Sequence, residues 1–233
     1  MNTQDRLMEM LAQTAEALGE DIMASSAFVG GCVVGLLLTD DFTKEQVRAT
    51  DDVDLIVDVL NFAAYTKFAN ELRQRGFKES MHDNIQCRWR LKELIVDVMP
   101  TDEKILGFTN KWYREAIESA VWFILPNGAK IRIVSAPYFI ATKIEAFKGR
   151  GEGDFLTSRD IEDIITLVDG RETLGDEIAE IGGSLQGYIA EEIGKLLHEK
   201  DFEYAVESAV RSDMQRAEII HERLSRIVSA SQA

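Results

Sequence analysis

The chain has 233 residues, 45% of them hydrophobic, and a formal net charge of −15. That length suits one large domain or two small ones with a sizeable core, and the acidity opposes non-specific binding to nucleic acid, which depends on phosphate neutralisation by Lys and Arg. No stretch approaches the roughly 18 uninterrupted apolar residues of a membrane span; the longest apolar run, FVGGCVVGLLLT, is broken by glycines. The acidic, amphipathic start MNTQDRLMEMLAQ lacks the signal-peptide pattern, and Cys32 and Cys87 match no metal or redox spacing. Reduced core thiols and a cytoplasmic location are expected.

Residues 4–24 read as an amphipathic helix with Leu7, Met8, Leu11, Ala15 and Leu18 on one side. SAFVGG follows as a short strand ending in two glycines, then CVVGLLL as a buried helix and 40–50 as a polar loop. A strand is predicted over 52–59 and a helix over 61–75, stopped by Gly76. NIQCRWRLK and ELIVDVMP alternate as a strand hairpin, and AVWFILPNGAKIRIVS as a second one with PNG at its turn. From Ser135, a predicted N-cap with Pro137 in the first turn, the pattern is helical: 136–148, 158–169, 174–181, 184–198, 201–210 and 212–230. The expected fold is α+β, with a mixed sheet flanked by helices in residues 1–134 and an all-α helical bundle in 135–233.

The strand RATDDVDLIVDV is apolar enough for a core yet carries Asp51, Asp52, Asp54 and Asp58, although Asp is poor in strands. Residues i and i+2 share a strand face, so Asp52 and Asp54 project together, roughly 6–7 Å apart at Cα. ELIVDVM repeats the pattern with Asp97 at its centre. If the two strands share a sheet, Asp97 approaches the pair, and three such carboxylates cannot all stay ionised without a cation. Hard oxygen ligands suit Mg²⁺ or Mn²⁺, and such platforms serve phosphoryl and nucleotidyl transfer or nucleolytic cleavage. Asp58 reads as structural and Asp51 as solvent-facing. About twenty residues earlier, Gly30 and Gly31 end a strand, where they allow close backbone approach to a triphosphate; a tight turn alone would also explain them.

GG at 30–31, RATDDVDL at 48–55 and LIVDVMP at 94–100 together resemble the DNA polymerase β-like nucleotidyltransferase superfamily. The Arg48-x-Thr50-x-Asp52-x-Asp54 spacing is similar to the branch containing AbiEii-type abortive-infection toxins, whose lysine helix and Arg-Asp-x-x-Asp helix have counterparts in ATKIEAFKGRG and SRDIEDIITL. The resemblance covers roughly residues 26–170. It implies a nucleotidyltransferase-type sheet, with an NTP as substrate. Asp52, Asp54 and Asp97 would be metal-binding and catalytic, Gly30, Gly31, Arg48, Thr50, Lys143, Asp160 and Asp163 would bind the nucleotide, and Lys143, at its phosphates, would also be catalytic by neutralising developing charge. The chain departs from the pattern at Cys32-Val33-Val34, where many relatives carry a small hydroxyl residue.

Lys143 is also legible without the family. Its helical neighbours Phe139, Ile140, Ala146 and Phe147 are apolar, so it stands near a buried stripe and needs an anion or must snorkel. A nucleotide phosphate would serve, and so would an ion pair with Asp160 or Asp163. Acids in the first turn of the 158–169 helix, capped by Thr157 or Ser158, also suit the helix dipole. His82, His198 and His221 sit in polar contexts, and Trp89, Trp112 and Trp122 read as core. The last helix places Ile219, Ile220, Leu224 and Ile227 on one side, for its own bundle or for an oligomer contact.

The expected activity is metal-dependent transfer of NMP from an NTP to an acceptor hydroxyl, with pyrophosphate release. The acceptor would be a tRNA 3′ end, a protein or a small molecule such as an aminoglycoside, and a toxin role would imply a cognate antitoxin. The alternatives are a non-catalytic nucleotide-binding partner protein and a metal-dependent nuclease. A nuclease has no use for a Gly–Gly triphosphate loop.

Overall fold

The computed structural model describes residues 3–59, 61–79, 86–150, 154–211 and 213–230. His82 and residues 151–153 of the 149–154 loop lie outside them. The chain divides into two compact units, one of residues 1–33 and 48–135, the other of 34–47 and 136–233.

The first unit is a mixed seven-stranded sheet with helices. Helix α1 (Thr3–Ala24) leads into β1 (Ser26–Val29) and a 3-10 turn at Gly31–Val33. After the excursion through 34–47 come β2 (Asp52–Val57), α4 (Phe62–Gln74), β3 (Lys78–Glu79), β4 (Arg88–Leu91), β5 (Leu94–Pro100), α5 (Glu103–Leu106), α6 (Tyr113–Glu118), β6 (Val121–Ile124) and β7 (Lys130–Ile133). The strand order is β3-β4-β5-β2-β1-β7-β6. Strand β2 pairs in parallel with β5 and antiparallel with β1, so the acidic strand is central and not an edge. That explains its apolar residues: Val53, Leu55 and Ile56 are fully buried, as a strand covered on both faces requires. Helix α1 packs along β7, β1 and β2 with Leu11 and Leu18 fully buried, and α6 covers β1 and β2.

The second unit is helical. It holds α2 (Val34–Leu37), α3 (Asp41–Glu45), α7 (Ala136–Arg150), α8 (Arg159–Gly170), α9 (Leu174–Ile181), α10 (Gly183–Leu196), α11 (Lys200–Ala209) and α12 (Met214–Ser229). Its core is built on α8, which packs against α7, α11 and α12, with Ile161, Ile164 and Leu167 of α8 and Ile220 and Leu224 of α12 fully buried. The 34–47 segment is tied to α8 by hydrogen bonds from the Thr39 and Asp40 amides to the Gly170 carbonyl, at 2.9 and 3.0 Å. Arg216 of α12 adds hydrogen bonds to Asp169 and Thr43. No helix among the described residues is long and apolar enough to cross a membrane.

Four local expectations need correction. The 40–50 stretch is not all loop: Asp40 caps α3 by accepting from the Thr43 amide. Ser135 does not cap α7, because its buried hydroxyl has no hydrogen-bond partner among the described residues. Trp122 is exposed on β6, an outermost strand of the sheet. Ile219 is exposed too; the buried stripe of α12 is Ala217, Ile220, Leu224 and Ile227, a true i, i+3, i+7, i+10 series. Both cysteines are buried and neither forms a disulfide.

Candidate functional site

The carboxylates meet through strand register. Asp54 lies opposite Asp97 of β5 on one side and opposite Val29 of β1 on the other. Arg88 of β4 lies opposite Asp97. Laterally paired residues point to the same sheet face, so Asp54, Asp97 and Arg88 form one row, with adjacent strands about 4.8 Å apart. Asp52 is in the next row along β2 on the same face.

Within that row the charges are paired. Arg88 Nε donates to Asp97 Oδ1 at 2.9 Å, and its second terminal nitrogen to Oδ2 at 2.8 Å. This is the bidentate geometry in which a guanidinium holds a carboxylate best. The same terminal nitrogen lies 3.7 Å from Asp52 Oδ2. Thr50, itself buried, donates from Oγ1 to Asp52 Oδ1 at 2.6 Å, which fixes the rotamer of that acid. Cys87, next to Arg88, feels the cluster: burial first, then the charges of Asp97 and Asp54, push its thiol up to about 12.

The glycine turn touches the same row. Gly30 follows Val29 directly and has φ 77°, a conformation that favours glycine. A Cβ built there would fall 1.9 Å from Asp54 Oδ2. Gly30 therefore lets the chain pass over Asp54 with the carboxylate in place. Gly31 opens the 3-10 turn, which is closed by the Val33 amide donating to the Gly30 carbonyl at 3.2 Å. Arg48 precedes this group on the strand's approach; a terminal nitrogen reaches the Ala49 carbonyl at 3.4 Å. Asp51 points away and pairs with Arg6 at 3.1 Å, and Asp58 lies near Thr101 and Arg114 at the far end of the strand.

Lys143, Asp160 and Asp163 form a separate cluster inside the helical unit. Lys143 Nζ on α7 lies 3.0 Å from Asp160 Oδ1 and 2.6 Å from Asp163 Oδ2, both on α8. All three are buried, Asp163 almost completely at 1% exposure. Ser158 caps α8 by accepting from the Ile161 amide, which brings Asp160 into the first turn. The ion-pair alternative for Lys143 is thus the arrangement seen, with Phe139 and Ile140 fully buried beside it.

Arg88 is the site residue that motif reading passed over. Its position was nevertheless encoded. Trp89 and Leu91 are apolar and buried, so Arg88 and Arg90 share the opposite face. The turn at Lys92-Glu93, with Lys92 at φ 54°, sets Leu91 opposite Leu94. Counting back three residues on each strand brings Arg88 to Asp97.

The donor set is right in kind for a divalent cation: carboxylate oxygens suit Mg²⁺ or Mn²⁺. It is also right in register, and the missing Cβ of Gly30 leaves Asp54 its place. The acids are not drawn together about a point, however. Among the described residues no three His, Cys, Asp or Glu side chains converge as a metal-holding group, and both oxygens of Asp97 are taken by Arg88.

No protein-family profile matches the chain, and no curated protein does.

Proposed function

We propose that the protein is a metal-dependent nucleotidyltransferase that moves a nucleoside monophosphate from an NTP to an acceptor hydroxyl and releases pyrophosphate. The observation that carries this reading is the conjunction of Asp52, Asp54 and Asp97 on one face of a central strand pair with a glycine turn packed directly on Asp54. An acidic strand by itself fits a solvated surface equally well. An acidic strand whose neighbour must be glycine for the carboxylate to fit does not.

In this mechanism Asp52 and Asp54 would hold Mg²⁺ or Mn²⁺, with Asp97 completing the site. When bound, the metal would supply electrophilic stabilisation of the phosphoryl oxygens. Thr50 keeps Asp52 in its rotamer through the 2.6 Å hydrogen bond. The backbone at Gly30 and Gly31 offers close approach to the triphosphate, since no side chain stands there. Asp97, once released by Arg88, would accept the acceptor's hydroxyl proton at a carboxylate oxygen. Arg48 would meet phosphate charge. Catalysis of this kind is mainly positioning and electrostatic stabilisation. The acidic chain favours a cationic small molecule or a protein over RNA as acceptor.

The test is pyrophosphate release. Purified protein with Mg²⁺, each NTP in turn and a mixed acceptor pool is expected to release pyrophosphate. The Asp52→Ala/Asp54→Ala double variant is expected to lose that release while keeping its far-UV circular dichroism and melting temperature. Unchanged turnover in the folded double variant would sink the site assignment. Nucleic-acid cleavage without pyrophosphate would favour the nuclease.

A further inference from the structure

We propose that Arg88 is a built-in counter-cation which a divalent metal must displace, so that Arg88 sets, and lowers, the metal affinity of the Asp52–Asp54–Asp97 face. The inference rests on the metal-site reading above and extends it to a residue outside the motif.

Asp52, Asp54 and Asp97 lie on one face of neighbouring strands, and Arg88 of the next strand sets a guanidinium against two of them. Its guanidinium grips Asp97 through two hydrogen bonds of 2.9 and 2.8 Å. The terminal nitrogen that binds Asp97 Oδ2 is also the one 3.7 Å from Asp52 Oδ2. One nitrogen therefore faces two of the proposed metal ligands. A residue that merely oriented Asp97 from behind would touch Asp97 alone. The side chains are largely shielded, Arg88 17% and Asp97 11% exposed, so the pair is weakly screened and competes in earnest. The position is not incidental, because the tight β4–β5 turn and its register place Arg88 in the row. Metal entry then requires the guanidinium to release Asp97 and withdraw from Asp52.

The experiment is calorimetric titration of Mn²⁺ into the full chain without nucleotide, comparing wild type with Arg88→Gln and Arg88→Lys, each checked for folding by circular dichroism and thermal melting. Arg88→Gln is expected to bind Mn²⁺ about tenfold more tightly or better, since a charge-assisted pair no longer has to be broken. Arg88→Lys should fall between, because a lysine keeps the charge without the bidentate grip, and it serves as the test should Arg88→Gln not fold. Adding Asp52→Ala and Asp54→Ala to the Arg88→Gln variant should remove the binding and so locate it. Equal or weaker Mn²⁺ affinity in the folded Arg88 variants overturns the proposal and makes Arg88 an outer support of Asp97. A complete absence of Mn²⁺ binding in wild type and both Arg88 variants overturns the metal reading itself.

Discussion

Two clusters in this chain set a cation against two carboxylates, and they are built to opposite ends. In the sheet, Arg88 faces Asp97 and Asp52, with Asp52 31% exposed at its side chain. In the helices, Lys143 is held at 3.0 and 2.6 Å by Asp160 and Asp163, with every partner's side chain below a tenth exposed. The helical cluster is buried throughout. The sheet cluster is less deeply buried and borders a glycine turn. The same charge pairing thus stands in two environments, one buried among helices and one on a more open strand face.

The sharpest way to break this contrast is Lys143→Met. Removing one member of a buried ion pair leaves the others uncompensated, and a loss of about 3–5 kcal/mol in urea unfolding is expected. Replacing Lys143, Asp160 and Asp163 together with apolar residues of similar volume should recover most of it, since such swaps are often neutral or stabilising. A small loss in Lys143→Met would mean the cluster is better hydrated than its burial suggests.

Gly30→Ala attacks the sheet site where it is tightest. The positive φ and the contact at 1.9 Å from Asp54 Oδ2 predict a loss of about 2–4 kcal/mol, from backbone strain and forced displacement of the carboxylate. Mn²⁺ binding should weaken in parallel. A stable Gly30→Ala protein with intact binding would show that the turn and the acid are independent.

A third effect is set by pH. The Cys87 thiol has its pKa raised from 9.0 to about 12 in the folded protein, so the folded state keeps its proton while the unfolded chain loses it. Stability from this group is full below about pH 9 and is lost as pH rises toward about 12. Cys87→Ala should flatten the fall in stability above pH 9 by about 1–2 kcal/mol at pH 10–11, as read from denaturation curves at a series of pH values. An identical slope in both proteins would mean that burial and the neighbouring acids do not raise the Cys87 thiol.

The smallest effect belongs to the exposed pair. Arg6 and Asp51 meet at 3.1 Å, but Asp51 is 82% exposed at its side chain. Arg6→Ala should change stability by no more than about 0.5 kcal/mol in the same denaturation assay. A larger loss would mean that Asp51 belongs to the site.

Much of this organisation could be read from the residues, because the periodic signals are strong. The six C-terminal helices follow apolar stripes, and both hairpins announce themselves by alternation around turn residues. Asp52, Asp54 and Asp97 were legible because carboxylates among β-branched residues break the expected pattern. Other features depend on partners distant in the chain. Segment 34–47 sits with the helical unit because Thr39 and Asp40 bond to Gly170, and nothing local signals that. Trp122 and Ile219 look like core by type, but the first lies on the outermost strand β6 and the second beside the buried stripe of α12. The short helices α5 and α6 contain too few turns to show a period. Arg88 is the instructive case, since hairpin counting gives its partner, while motif reading looks only at the acids.

The most direct test of the central claim is transfer of α-³²P label. Purified protein would be incubated with Mg²⁺, each labelled NTP in turn, and total RNA, cell protein or an aminoglycoside mixture as acceptor, beside the Asp52→Ala/Asp54→Ala variant. The account predicts label in one acceptor pool from the wild-type protein and none from the folded variant. Equal labelling by both proteins would contradict the carboxylate site, and no label in any pool despite NTP binding would replace the transferase with a nucleotide-binding partner protein.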